Sequence, residues 1–412
     1  VIRPLLTIPL TALLAIPAVP AAAAPKPAQQ AKTGAEVPCP HPRIAKPSAP
    51  PRPVPPADNP RDMAVGGPDL ATHGLVVPPG ATTPPAVTAT TWIVADLDTG
   101  EVLGACGPHV YQTPASVQKT LLAATAMDRL DPKQNVKIVQ SDLDIEANSS
   151  AVGIVVGGTY PVATLWLGLL LNSGNDAANA LARMAGGGGA DGVATTVAAM
   201  NAKARELGAF QTHAVTPSGL DGKGQFTSAY DLALIARSDF AKADFRKYVL
   251  TRSAQMPAQR SPRVGGFQFQ NENKLIYNYP GAMGGKTGFT TVARHSYVGA
   301  AQRNGRRLVV TLLGAEAHPL RGWQQGAALL DWGFAQPAGA SVGHLVTPAE
   351  AAALTATPEK ASAGVSGTAA KPVVKSHSRS LIVAGTGAVV LAALPLTLLA
   401  IHRGRRRRFR KP

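Results

Sequence analysis

Ser116 and Lys119 stand three positions apart in Pro114-Ala115-Ser116-Val117-Gln118-Lys119-Thr120-Leu121-Leu122, where a turn gives way to an Ala/Leu-rich run. On a helix, positions i and i+3 share a face, so the hydroxyl and the amine can meet. A serine hydroxyl near its ordinary pKa is a poor nucleophile without an adjacent base. An amine serves as that base only where burial or a second cation lowers its pKa. The pattern S-x-x-K is short enough for chance to supply, so the partners must come from elsewhere in the chain. Two further polar clusters qualify: Ser173-Gly174-Asn175 and Lys286-Thr287-Gly288. Lys32-Thr33-Gly34 repeats the last tripeptide, but it precedes the serine and lies in a proline-rich arm with no strand pattern.

The elements around these clusters follow from the apolar periodicity. Residues 91–97 alternate as a strand, Asp98-Thr99-Gly100 turns it, and 101–106 returns as a second strand. A turn at Ser116 and a helix after it to about Leu130 are expected. The apolar run 162–171 predicts a buried helix that stops at Asn172-Ser173-Gly174-Asn175-Asp176, and an Ala-rich helix follows through Met184. Helices are expected over 193–207 and 229–239, with a loop of turn formers at 216–222 between them. The period then shifts: 283–299 and 307–314 read as strands joined through Asn304-Gly305, and 322–332 as a closing helix. Strands at both ends and helices in the middle argue for an α+β fold, an antiparallel sheet covered by helices with a helical subdomain.

The composition is uneven. Prolines crowd the first eighty-odd residues, and Ala, Thr, Ser and Lys dominate 338–379, which leaves 87–337 as the folded domain. The division expected is a signal peptide over 1–24, a Pro/Ala-rich linker over 25–86, the catalytic domain over 87–337, a flexible linker over 338–380, a transmembrane helix over 381–401 and a basic tail over 402–412. The net charge of +16 owes much to Arg403, Arg405, Arg406, Arg407, Arg408, Arg410 and Lys411. That block follows an uncharged stretch long enough to cross a bilayer, so it reads as a membrane-flanking stop, not a nucleic-acid arm. Arg3, the apolar run 5–14 and the small residues 19–24 have the form of a secretory signal. Together they predict a single-pass protein of the cell membrane, with the catalytic domain outside and the tail in the cytoplasm. An exported compartment permits a bridge between Cys39 and Cys106, but spacing does not decide whether it forms. Neither cysteine has metal-ligand spacing, and no H-E-x-x-H occurs among the nine histidines, so no metal or other cofactor is implied.

The order S-x-x-K, S-x-N, K-T-G resembles that of penicillin-binding proteins and serine β-lactamases. Within that β-lactamase/transpeptidase-like superfamily, the hairpin at Asp98-Thr99-Gly100 is similar to the D-alanyl-D-alanine carboxypeptidases. So are Leu171-Asn172-Ser173-Gly174-Asn175-Asp176-Ala177-Ala178, Pro217-Ser218-Gly219-Leu220-Asp221, Tyr230-Asp231-Leu232-Ala233 and Pro280-Gly281. The resemblance covers about 88–335. It implies that Ser116 attacks the carbonyl between two D-alanines, Lys119 takes its proton, and Lys286 is the like charge that depresses Lys119. It further implies that Ser173 passes a proton to the leaving amine and that Asn175 binds the substrate peptide. The N–H groups of Ser116 and Phe289 would form the oxyanion hole, next to Gly288. Thr287 and Arg321 would hold the terminal carboxylate. Asp176 and Asp231 are expected to be structural caps.

Departures accompany the likeness. β-Lactamases of class A usually have Asp between the Ser and Asn of the second cluster, and this chain has Gly174. No Glu-x-x-Leu-Asn segment supplies a deacylating glutamate, and Glu206 reads as a solvated helix end. Arg294-His295 is bulkier and more basic than expected, and 338–379 is too polar for the β-rich second domain of some relatives. The expected partners are peptidoglycan peptide stems, β-lactams as covalent inhibitors and the membrane through one C-terminal helix, with no nucleic acid. A β-lactamase, a D,D-endopeptidase and a non-catalytic β-lactam or cell-wall sensor are the competing readings.

Overall fold

A computed structural model describes residues 36–45, 48 and 50–356. The signal peptide, the transmembrane helix at 381–401 and the basic tail expected from the sequence lie outside the described residues. Among the described residues, no helix is long and apolar enough to cross a membrane.

In chain order, α1 (Pro60–Met63) and β1 (Leu75–Val76) precede the first hairpin, β2 (Thr91–Asp96) and β3 (Glu101–Cys106). A 3-10 turn, Ala115–Gln118, leads into α2 (Lys119–Ala126). The small ribbon β4 (Asn135–Lys137) and β5 (Thr159–Pro161) introduces α3 (Val162–Asn172), α4 (Asn175–Ala185) and α5 (Gly192–Leu207). After α6 (Ala229–Ala241) and α7 (Ala243–Leu250) comes a second ribbon, β6 (Ser253–Met256) and β7 (Phe267–Gln270), and then the short α8 (Leu275–Asn278). The chain returns through β8 (Ala282–Thr290), β9 (Arg294–Arg303) and β10 (Arg306–Ala315) to α9 (Gly322–Ala335), β11 (Gly343–His344) and α10 (Pro348–Ala356).

The main sheet is antiparallel, in the order β1-β3-β2-β10-β9-β8, and β11 shares the outer side of β3 with β1. Both faces are covered, and period-2 alternation assigns the side chains between them. Ile93, Ala95, Val309 and Leu313 pack against the helical side with α2, α3, α4 and α6. Trp92, Val94, Leu308, Val310 and Leu312 pack against α9, where Trp332 meets Trp92 edge-on at 6.1 Å. The α+β expectation thus corresponds to a sheet with one helix behind it and a helical body in front. The free edge, β8, is left facing the helical body.

Three expectations are corrected. The turn expected at Ser116 is a 3-10 turn, and the helix expected from it to about Leu130 is α-helical only over α2, ending in a second 3-10 turn at Met127–Arg129. The strand expected over 283–299 is two strands, β8 and β9, joined at Thr290–Arg294 through Arg294 at φ 61°. The turn escaped notice because it carries none of the Gly, Asn or Pro that usually mark one. The third concerns the linkers. The described part of the expected linker over 25–86 is fastened to the domain: Cys39 is bridged to Cys106, Leu75 donates to the Val37 carbonyl at 2.7 Å, and Met63, Val65 and Leu70 are buried. The linker expected over 338–380 contributes β11 and α10 before the described residues end. Both segments are too short and irregular for periodicity to register, yet each adds a strand beside β3.

Candidate active site

Ser116, the candidate nucleophile, follows a strained corner. Ala115, immediately before Ser116, is fully buried at φ 51°, in the left-handed region that non-glycine residues rarely occupy. Two close approaches hold it there. A Cβ on Gly219, itself at φ 87°, would fall 1.9 Å from the Ala115 carbonyl oxygen. A Cβ on Gly288 would fall 2.9 Å from the Ser116 nitrogen and 3.0 Å from that of Val117. Only glycine lets the loop after α5 and the edge strand β8 close on the serine's backbone.

Lys119, on the first turn of α2, is wholly buried, and its amine donates to Ser116 Oγ at 2.9 Å, Asn175 Oδ1 at 2.7 Å and the Ser218 carbonyl at 2.7 Å. Burial first, and the charge of Lys286 second, push its pKa well below the lysine range; Asp176 and Glu272 oppose that. Lys286, on β8, donates to Ser173 Oγ at 3.1 Å and to the Thr287 carbonyl at 2.6 Å. Burial lowers it to about 8, with Glu272 acting in the opposite sense.

Ser173 closes α3 at φ 61°, and α4 begins two residues later. This break turns Ser173 toward Lys286 and Asn175 toward Lys119. Asp176 fixes it by accepting the N–H groups of Val152 at 2.9 Å, Gly153 at 2.8 Å and Ile154 at 3.1 Å. A Cβ on Gly174 would lie 2.7 Å from Asp176 Oδ1, which explains why this chain has no side chain between Ser173 and Asn175. Asp231 sits one turn into α6 and accepts the Thr212 hydroxyl at 2.7 Å, away from the two lysines; burial raises it to about 7.

The sequence-predicted residues therefore converge, with one qualification of geometry. Ser116, Lys119, Asn175, Ser173 and Lys286 form two hydrogen-bonded groups, one around each lysine. The Ser173 hydroxyl contacts Lys286, and no hydrogen bond joins it to Ser116. Thr287, Gly288 and Arg321 line one cavity of about 320 Å³ together with Glu272 and His295. Phe289 is 48% exposed, its ring 4.6 Å from that of His295. Arg294 is held by Glu316 through two hydrogen bonds of 2.9 and 2.6 Å.

Two contributors escaped sequence reasoning. The Ser218 carbonyl has no side-chain signal, although Pro217-Ser218-Gly219 marked its loop; Asp221 ties that loop to β8 by accepting from the Thr290 hydroxyl at 2.9 Å. Glu272 lies in the aperiodic stretch Asn271-Glu272-Asn273. The two asparagines pin it: Asn271 donates to the carbonyls of Val249 and Thr251, and Asn273 accepts from Tyr297. Glu272 accepts from Asn172 Nδ2 at 3.2 Å, beside Ser173, and burial raises its pKa against the pull of Lys286, Lys274 and Lys119. A carboxylate in such a place could have been found only from its alternation with polar anchors.

The family model for D-alanyl-D-alanine carboxypeptidase matches residues 79–317, more than half of the chain. D-alanyl-D-alanine carboxypeptidase DacB2 of Mycobacterium tuberculosis is 46% identical over 275 residues, 66% of this chain and 90% of that relative. DacD of Salmonella typhimurium, which bears the same enzyme name, is 33% identical over 261 residues, 61% of this chain and 64% of its own length. Among solved structures, a D-alanyl-D-alanine carboxypeptidase from Mycobacterium tuberculosis aligns with TM-score 0.61 at 45% identity, covering 66% of this chain and all of that one. The Streptomyces K15 DD-transpeptidase aligns with TM-score 0.59 at 28% identity, covering 62% and 100%.

Proposed function

Because the chain belongs to the D-alanyl-D-alanine carboxypeptidase family, we propose that it removes the terminal D-alanine of peptidoglycan pentapeptide stems through an acyl-enzyme on Ser116. The observation that carries this is the Lys119 amine, buried, 2.9 Å from Ser116 Oγ, with a second buried lysine to keep it neutral. Neutral Lys119 takes the hydroxyl proton as Oγ bonds to the penultimate D-alanine carbonyl carbon. The N–H groups of Ser116 and Phe289 receive the oxyanion, a contribution typically worth about 10²–10³ in rate per donor. Collapse breaks the peptide bond. The leaving amine takes a proton from the Ser173 hydroxyl, which Lys286 replenishes. Asn175, its Oδ1 occupied by Lys119, turns its Nδ2 to the substrate peptide. Thr287 and Arg321 hold the terminal carboxylate; water then attacks the acyl carbon, giving its proton by way of Ser173 to neutral Lys286, and Ser116 Oγ leaves with the proton that Lys119 held, which releases the shortened stem and resets both lysines. Penicillins acylate the same oxygen.

Incubating the purified protein with a D-Ala-D-Ala-terminated pentapeptide should release D-alanine, and Ser116→Ala should abolish both release and penicillin labelling. A folded protein that releases none overturns the proposal. Rapid penicillin turnover in place of a persistent adduct would favour a β-lactamase. The export signal and the apolar stretch 381–401 support a membrane-anchored enzyme acting on the outer face of the cell membrane; recovery of the full chain in the soluble fraction of its cells would count against that.

A further inference from the structure

In the proposed reaction Thr287 and Arg321 take the terminal carboxylate, yet the cavity they line, about 320 Å³, exceeds what a carboxylate fills. It holds on the order of ten water volumes at ~30 Å³ each. The walls decide what else can enter. Thr287 on β8 is the cross-strand partner of Tyr297 on β9, and Tyr297 belongs to the apolar cluster between the sheet and α9. Directly opposed residues share a face, so Thr287 and the cavity lie on the α9 side of the edge strand. Lys286, paired with Val298 of the helical body, lies on the other side with Ser173.

Glu272 and Lys274 give the cavity a polar wall, and Trp323 gives it an apolar one. Trp323 is the second residue of α9 and is half-buried against the cluster behind the sheet. Ala327 and Asp331 follow it at i+4 and i+8, on the same side of the helix. Asp331 accepts from the Tyr279 hydroxyl at 2.8 Å and from Arg303 at 2.7 Å. That side of α9 therefore looks toward the segment running from Glu272 through α8 to Tyr279, and Trp323 closes the cavity between the two. A substrate whose terminal carboxylate is on Thr287 and Arg321, and whose scissile bond is at Ser116, has its last α-carbon fixed between them. The side chain on that carbon starts at the mouth of this cavity. On the carboxypeptidase reading, we infer that Trp323 is the specificity wall for the side chain of the last residue, and that the enzyme releases terminal D-residues with unbranched apolar side chains longer than the methyl of D-alanine. The reaction is otherwise unchanged: water adds across the last peptide bond, and the larger D-amino acid leaves with the proton that Ser173 supplies to its amine.

The test compares pentapeptides that differ only in ending on D-alanine or on D-norleucine, with the released amino acid quantified by chromatography. Each methylene moved from water onto an apolar wall is worth about fourfold. The wild type should therefore cleave the norleucine peptide with a kcat/KM at or above that of the alanine peptide. A pocket shaped for a methyl would instead reject it by on the order of 100-fold. In Trp323→Ala the norleucine-to-alanine ratio should fall by about tenfold, and Trp323→Leu, which keeps part of the wall, should fall between. The ratio is internal to each protein, so a displaced Arg321 or a less stable α9 lowers both rates and does not mimic the result. Release of D-alanine with D-norleucine rejected overturns the inference and leaves the carboxypeptidase reading standing. A favourable ratio that both variants keep overturns the assignment to Trp323. Release of neither amino acid overturns the carboxypeptidase reading, and the inference falls with it.

Discussion

In the proposed mechanism two lysines divide the proton work; burial lowers both, and Glu272 acts against that shift. Lys119 must be neutral to accept the Ser116 proton, so acylation should rise with pH as the lowered pKa of Lys119 is passed. Lys286 must be protonated to restore Ser173, so the rate should fall as pH climbs through about 8. Glu272 favours the charged form of both lysines. Replacing Glu272 with Gln removes that pull, and both limbs of the profile should move to lower pH. The check is the second-order rate constant of penicillin acylation as a function of pH, followed on both sides of its maximum. An alkaline limb that stays near 8 in Glu272→Gln would show that the carboxylate does not govern Lys286. The residues brought together around the two lysines were legible in the sequence because their chemistry resides in side-chain type and spacing. Glu272 and the Ser218 carbonyl were not, because one is brought in by a turn with no periodic pattern and the other is backbone.

At the scale of elements, the site is where a 3-10 turn, a broken helix pair and a sheet edge come together, and glycines set the distances. β8 crosses the 3-10 turn before α2 so closely that a Cβ on Gly288 would fall 2.9 Å from the Ser116 nitrogen and 3.0 Å from that of Val117. A methyl at 288 has nowhere to go, since its two nearest neighbours are backbone nitrogens, and the strand must retreat from the serine. Displacements of about 1 Å in such sites cost on the order of 100-fold in rate. Gly288→Ala should therefore lower penicillin acylation by roughly that factor or more. The circular dichroism spectrum should stay that of the wild type, because β8 keeps its ladder to β9. Acylation within a few fold of wild type would mean that the strand's approach is not what positions the nucleophile. Most of these elements could be read from the chain: the hairpin of β2 and β3, the helices α3 to α6 and the closing α9 are long and periodic. The β6–β7 ribbon, α7 and the split between β8 and β9 could not, since they are short or turn without glycine or proline.

The described residues extend on both sides of the 79–317 stretch that the family model matches, and one buried pair fastens both flanks. His109, fully buried, donates from Nε2 to the Val65 carbonyl of the N-terminal arm at 3.0 Å and stacks on Tyr230 at 4.5 Å. Tyr230 in turn donates to the His344 carbonyl at 2.8 Å and accepts the Val346 N–H at 3.0 Å, holding the segment after α9. Proline-rich composition made the arm look like a tether, because extended chain that docks by carbonyls and a disulfide leaves no apolar rhythm to find. The arrangement has a cost in acid. Burial lowers His109 from 6.5 to about 4, with Gln211 and Val65 opposing. The unfolded chain therefore binds the proton first: the stabilisation is complete above pH 6.5 and is lost as pH falls through about 4. A shift of that size corresponds to about 3 kcal/mol. Urea unfolding at pH 7 and at pH 4.5 should show the wild type losing much of this difference, and His109→Gln losing markedly less between the same two pH values. Gln keeps a donor for Val65 but has nothing to protonate, so the comparison isolates the titration from the contact. Equal losses in the two proteins would place the acid sensitivity elsewhere, with the buried Asp231 and Asp239 among the groups whose protonation would have the opposite sign.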